Sequence, residues 1–239
     1  MRNTWTIARR EFAAYFVSPI AYVVAAIFLF ILGLFFNFGD LQRQAYYATP
    51  ADFFSRVTTL SFFIAPALTM RLLAEERRSR TLELLLTAPV RDGELVLGKF
   101  LASMGFYLVL IAVGSVYPVI LFAFGNPDPR VLFTCYVGIL LFGATLLALG
   151  TLASSLTQNQ ILAFFTGFGV LLALMLVGAP ARLASPGMGQ VLSALSINNH
   201  LAEFDLGIVD TRHVVYYLSV TVAALFLATR VLEGRRWSG

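Results

Sequence analysis

Between Arg71 and Lys99 the chain reads RLLAEERRSRTLELLLTAPVRDGELVLGK, and this stretch constrains everything around it. Six of the 17 Lys+Arg residues lie here, with Glu75, Glu76, Glu83, Asp92 and Glu94 among them. Apolar runs long enough to cross a bilayer flank it on both sides. Charge at this density cannot reside in hydrocarbon, where one Arg costs roughly 3 kcal/mol or more. The stretch is therefore expected as a water-exposed loop on the cytoplasmic side. Within it, Thr81 to Thr87 (TLELLLT) is amphipathic, too short to cross, and closed by Pro89. That pattern predicts a helix lying at the membrane surface and presenting one face to a cytoplasmic partner.

Composition excludes several classes. The chain is 59% hydrophobic and 13% charged, about half the charge of a soluble domain. The expected fold class is an all-α polytopic membrane protein. A net charge of +4 needs no nucleic acid, because basic loops on the inner side of the membrane account for it. A single cysteine, Cys135, offers neither a disulfide framework nor a Cys-based metal site. Two histidines, His200 and His213, are too few for a His-rich ligand set.

Taken in order, residues 1–18 read as an interfacial amphipathic helix, not a cleavable signal, because the basic residues are spread out and Pro19 interrupts. Trp5, Ala8, Phe12, Tyr15 and Phe16 recur at helical spacing, while Arg2, Arg9 and Arg10 fall on other faces. Six spans follow, over 20–38, 53–74, 95–124, 131–154, 161–178 and 213–229, with a cytoplasmic loop over 75–94. Pro66 sits inside the second span, and Arg71 near its end is expected to snorkel. Asp92 is expected to cap the third span and Lys99 to snorkel from it. Gly143, Gly150 and Ser154 form a small-residue stripe on the fourth span, which predicts a packing seam.

The segment 179–212 is broken by Pro180, Pro186, Gly187 and Gly189, and its apolar part (Val191 to Ile197) is too short to cross. It is expected to dip into, or lie on, the outer leaflet. With both termini inside, only Arg43, Arg56, Arg130, Arg182 and Arg212 face outward, which satisfies the positive-inside bias. No inverted repeat relates the two halves, against a secondary transporter built from such repeats.

Two motifs are near misses. Gly93-Glu94-Leu95-Val96-Leu97-Gly98-Lys99-Phe100 approaches a phosphate-binding loop, but Phe100 replaces the Ser/Thr that would hold Mg²⁺ and no strand precedes it. Glu75-Glu76-Arg77-Arg78-Ser79-Arg80 matches the EExxxR signature of membrane-embedded glutamate proteases. Those enzymes also need histidines in an FxxxH arrangement, whereas Ser196 precedes His200 and Val209 precedes His213 at that spacing. No catalytic residue, cofactor or metal is assigned to the chain on these grounds. Asn198-Asn199-His200, Glu203 and Asp205 read as a solvated outer loop, with the lining of a substrate exit as the alternative.

Taken together, the interfacial helix, six spans, charged loop and broken outer segment resemble the permease subunits of type-2 ABC exporters. The carrying residues are Thr69-Met70-Arg71-Leu72-Leu73-Ala74-Glu75-Glu76, Thr81 to Val90, and Leu97-Gly98-Lys99-Phe100. Gly207-Ile208-Val209-Asp210-Thr211-Arg212 and Val215-Tyr216-Tyr217-Leu218-Ser219 resemble the gliding-motility-associated members. The resemblance implies a bacterial inner-membrane location and no enzyme activity in this chain. It also implies a separate ABC ATPase subunit that carries the ATP and Mg, a second permease chain, homo- or heterodimeric, and room for an auxiliary membrane subunit.

By the same resemblance, ATPase coupling falls to Glu75, Glu76, Arg77, Arg80, Thr81, Leu82, Glu83, Leu85, Leu86 and Pro89. Leu82, Leu85 and Leu86 suit an apolar groove, and the charges suit orientation. The interfacial helix, with Trp5, Arg9, Arg10 and Phe12, would be the second contact. Phe62, Phe63, Pro66, Phe164, Phe165 and Phe168 would line the pathway, an aromatic surface suited to lipid-like or amphipathic cargo. The competing readings are a non-transporting membrane module coupled to an ATPase, and an EExxxR-type protease.

Overall fold

Proline sets the first break in the chain. Helix α1 (Arg2–Val17) stops at Ser18, and Pro19 opens α2 (Pro19–Phe35), so the two meet at 73°. Proline lacks the N–H that a helix interior needs but fits the first turn, where that donor is unpaired anyway. The computed structural model describes residues 2–37, 50–78, 91–124, 128–182 and 185–236. In these the remaining α-helices are α3 (Pro50–Thr69), α4 (Ala74–Arg78), α5 (Asp92–Gly114), α6 (Val116–Phe124), α7 (Pro129–Leu156), α8 (Gln160–Leu176), α9 (Pro186–Leu195), α10 (Ala202–Asp205) and α11 (Thr211–Arg236). A 3₁₀ turn covers Ala179–Arg182. The described residues are predominantly helical, with no strand among them.

Among the described residues, four helical stretches are long and apolar enough to cross a membrane: Ala51–Arg78, Asp92–Ile120, Pro129–Leu156 and Thr211–Gly234. The bent pair α1–α2 makes a fifth if it counts as one span. The expected first and fifth spans correspond to α2 and α8, each of 17 residues. At 1.5 Å per residue each is about 26 Å long, short of a ~30 Å hydrocarbon core.

The third expected span is interrupted by a single turn residue, although Asp92–Ile120 still runs as one stretch long enough to cross. The interruption falls at Ser115, between α5 and α6. Pro118 explains the break: it has no N–H to offer the Gly114 carbonyl one turn back. The Ser115 hydroxyl donates to Ile111 O and accepts from Tyr136 Oη on α7 at 2.7 Å, which ties this point of the span to α7. The cap of α5 also differs from expectation. Arg91 holds the N-cap position, Asp92 is the first helical residue, and the Glu94 carboxylate accepts from the Arg91 N–H.

Helix α7 is the axis of the molecule, packed against α3, α5, α8, α10 and α11. Its small residues are the reason. A Cβ added at Gly143 would meet the Tyr107 ring, and one at Gly150 would meet the Thr69 side chain. Ser154 follows on the same stripe, accepting from the N–H groups of Leu73 and Ala74, each at 3.1 Å, and donating to Met70 O. The small-residue stripe is a seam within this chain, drawing α3 and α5 onto α7. On the far face, Thr145 Oγ1 donates to Tyr217 O and meets Thr221 Oγ1 at 3.0 Å, joining α7 to α11.

Large apolar side chains cover the outside as well as the core. Phe30, Phe133, Phe165, Val222 and Phe226 are all more than half exposed. A chain folding in water does not leave apolar surface this continuous uncovered. The helices therefore present the surface of a membrane protein.

Candidate functional site

At one end of the bundle, three helices meet at a buried lysine. Lys99 lies two turns into α5 and is only 1% exposed. Its Nζ is 2.8 Å from Glu76 Oε1 on α4 and 3.4 Å from Glu11 Oε2 on α1. Arg10 Nη2 approaches the other Glu11 oxygen at 3.0 Å. Lys99 was expected to reach outward to the interface. It cannot, because α1 lies across it: Gly98 and Gly105 on α5 leave room for Ile7 and Phe12 of α1 to pack directly on the backbone. An ammonium held away from water needs close counter-charges, and α1 and α4 each bring one.

The neighbouring contacts tie the same elements together. Tyr15 of α1 is buried, stacks on Phe106 of α5 at 4.8 Å, and donates its hydroxyl to Leu68 O of α3 at 2.9 Å. Arg71, expected to snorkel, instead lies half-buried over the Tyr15 ring, 4.8 Å from its centroid, and donates to Ser18 Oγ. Arg77 donates to the carbonyls of Ser155 at 2.8 Å and Thr157 at 3.3 Å. Those carbonyls end α7, so a cation sits where the helix dipole is negative and unpaired acceptors collect. A cavity of about 310 Å³ opens among Glu11, Tyr15, Arg71, Glu75, Glu76 and Lys99.

The structure thus brings Glu76, Arg77 and Arg10 into one network with Lys99, Glu11, Tyr15, Ser154 and Ser155. Glu75 lies exposed on the cavity rim. Arg9 and Trp5 are exposed on α1, and Phe12 is half-buried against Gly105. Arg80, Thr81, Leu82, Glu83, Leu85, Leu86 and Pro89 lie outside the described residues. Charge pairing across sequence gaps as long as that from Glu11 to Lys99 leaves little local trace. The one clue is a lysine two turns inside an apolar helix, where exposure would gain it nothing.

A second assembly lies on α3 and α8. Phe62 and Phe63 of α3 meet Phe168 of α8 with ring centroids 5.2 and 5.5 Å apart. Phe168 stacks parallel to Phe164, which packs edge-on against Phe165. Such pairs contribute about 0.5–1.5 kcal/mol each beyond area burial. Pro66 is buried and faces Gly167 across the same contact. All six residues form one surface, on which Phe62 points inward and Phe63 and Phe165 stand exposed.

Behind Phe62, toward the opposite end of the bundle, a cavity of about 220 Å³ is lined by Thr58, Thr59, Leu146, Leu171, Asn198 and Asp205, among others. Burial pushes the Asp205 carboxyl up to about 6, with the Asp52 charge adding to the effect and the Cys135 thiol opposing it. His200 and His213 sit at this end too. Glu76 lies about 30 Å away along α3–α4, counted from Ser55 on the cavity wall. No geometry among the described residues joins Glu75 or Glu76 to a histidine, as a glutamate protease would need.

Among known families, residues 34–198 match the one described as ABC-2 family transporter protein. No curated protein matches the chain.

Proposed function

Since this chain belongs to the ABC-2 family of transporter proteins, we propose that it is the permease subunit of an ATP-driven exporter, powered by a separate ATPase. The observation that carries the reading is the junction at α4. Arg77 holds α4 to the end of α7, and Glu76 holds it to Lys99 of α5 and, through Lys99, to Glu11 of α1. In the sequence, residues 79–90 follow directly on α4. A partner that grips them moves α1, α3, α5 and α7 together, and that is what coupling ATP hydrolysis to a membrane pathway requires.

In this reading the segment around Thr81–Pro89 is the coupling helix, with Leu82, Leu85 and Leu86 as apolar anchors and Arg80 and Glu83 setting orientation. Residues 1–18 supply the second contact, with Trp5 and Arg9 facing lipid or the ATPase. The complex contains two permease chains and two ATPase chains, and ATP and Mg are bound on the latter. It sits in a bacterial inner membrane with six spans and both termini cytoplasmic. The aromatic surface of α3 and α8 lines the pathway or faces the second permease, and suits lipid-like or amphipathic cargo. The resemblance to gliding-motility-associated permeases belongs to the same reading.

Purification in mild detergent from native cells tests it. The wild-type chain is expected to bring down an ABC ATPase, and Leu85→Asp to lose it while remaining folded in the membrane. A well-folded wild-type chain that recovers no ATPase overturns the assignment. An ATPase recovered equally with Leu85→Asp moves the contact away from this segment. ATPase partnership without cargo-stimulated turnover in reconstituted vesicles would favour the non-transporting module.

A further inference from the structure

The two histidines, thirteen residues apart, form a hydrogen-bonded pair whose polarity is fixed from one end. His200 Nε2 lies 2.9 Å from the Ala194 carbonyl. A carbonyl only accepts, so Nε2 carries the proton and His200 Nδ1 presents a lone pair. His213 Nδ1 stands 2.6 Å from that lone pair and must donate to it. With both rings neutral, the remaining nitrogen, His213 Nε2, is a lone-pair acceptor. It is buried and lies 2.8 Å from Glu203 Oε2, yet off any hydrogen-bonding direction. A proton on that nitrogen would pair it with Glu203 alone, whereas a metal ion would serve it together with a further carboxylate.

A third ligand-type atom completes the arrangement. Asp210 is the residue just before α11, and its Oδ1 accepts from the Arg212 N–H at 2.8 Å. One ligand atom each from Glu203, Asp210 and His213 lie within 4.8 Å of one another. Two carboxylates converge on one imidazole. A single shared proton would leave one negative charge uncompensated, whereas a divalent cation balances both.

We propose that Glu203, Asp210 and His213 bind a divalent transition-metal ion of the zinc class, with His213 Nε2 as the nitrogen ligand. One imidazole and two carboxylates suit such an ion, at metal–ligand distances of about 2.0–2.2 Å, with a fourth position left for water. His200 stands behind the ligand, its lone pair holding His213 in the tautomer that points Nε2 at the metal. Tyr216 stacks on the His200 ring at 3.8 Å and keeps it in place. The ion fastens α10 to the start of α11. Because Leu201, Ala202 and Asp205 of the same short segment line the 220 Å³ cavity, metal occupancy sets the rigidity of the cavity wall.

The full-length chain, purified in detergent with its bound partners and stripped with EDTA, is titrated with Co²⁺ and then Zn²⁺. One equivalent of Co²⁺ is expected to bind with visible d–d absorption and to be displaced by Zn²⁺. His213→Gln and Glu203→Gln should each weaken binding at least roughly tenfold, and Asp210→Asn should do so while keeping the helix cap. Loss of an outer partner costs about 10–100-fold in affinity, so His200→Gln should fall in that range. Glu203 is 41% exposed, so its variant remains informative if His213→Gln does not fold. Wild-type protein that binds no more Co²⁺ than the Glu203→Gln variant overturns the proposal. So does a metal-insensitive wild type whose thermal stability falls as pH rises, which identifies a proton held between His213 and Glu203 in place of a metal.

Discussion

A buried lysine is costly, and at position 99 the cost is met by two carboxylates that the linear sequence keeps far apart. Removing one member of a buried ionic group leaves the others desolvated and uncompensated, typically at about 3–5 kcal/mol. Lys99→Met is therefore expected to lower the thermal unfolding midpoint markedly, as read from tryptophan fluorescence in detergent. Adding Glu11→Gln and Glu76→Gln removes the stranded charges and should recover most of the loss. If the triple variant is no better than Lys99→Met alone, the packing of the lysine stem is what counts. Residue chemistry here was half legible. The charged stretch marked Glu76 and Arg77 as important, but a snorkelling lysine and a buried, paired one share the same local sequence, and only the passage of α1 over Gly98 tells them apart.

At the scale of elements, the contact between α1 and α5 decides whether the N-terminal helix is an anchor in lipid or a working part of the bundle. Its apolar face divides. Ile7, Ala8 and Tyr15 are buried against protein, and Trp5 is 70% exposed. Gly98 makes the contact possible, since a Cβ there would stand 2.7 Å from Ile7 Cγ2 and 3.0 Å from Thr4 O. Gly98→Val should push the helices apart at a cost of about 1–3 kcal/mol. The amides of residues 3–17 should then exchange with deuterium faster while those of α7 stay protected, and Ile7→Ala in the same chain should restore part of the protection. Unchanged exchange in α1 would mean that its position does not depend on this contact. Helix existence was readable from periodicity and from Pro19. The interruption at Ser115 was less so, because an apolar run conceals a proline whose effect depends on which carbonyl lies one turn back.

For the whole molecule, orientation is the property that the helical bundle leaves open and the charge distribution predicts. In a Cys135→Ser background, which removes a buried thiol, Ser79→Cys should react with an impermeant maleimide only in inside-out vesicles. Gln190→Cys, exposed on α9, should react only in intact spheroplasts. The reverse pattern would place the charged segment outside and detach it from any cytoplasmic ATPase.

The sequence by itself determined the class of molecule. Low charge, long apolar runs and one dense charged interruption leave few options for a chain that must satisfy its backbone inside lipid, and helices are the economical one. It also determined where the small-residue seam would lie, because close helix approach demands missing side-chain volume at helical spacing. The tertiary structure decided which charges meet. Lys99 with Glu11 and Glu76, Arg77 with the end of α7, and His200 with His213 are encounters between helix ends, set by crossing angles, breaks and the fold of α1 onto α5. Those depend on the packing of the whole bundle, and no window of residues carries them.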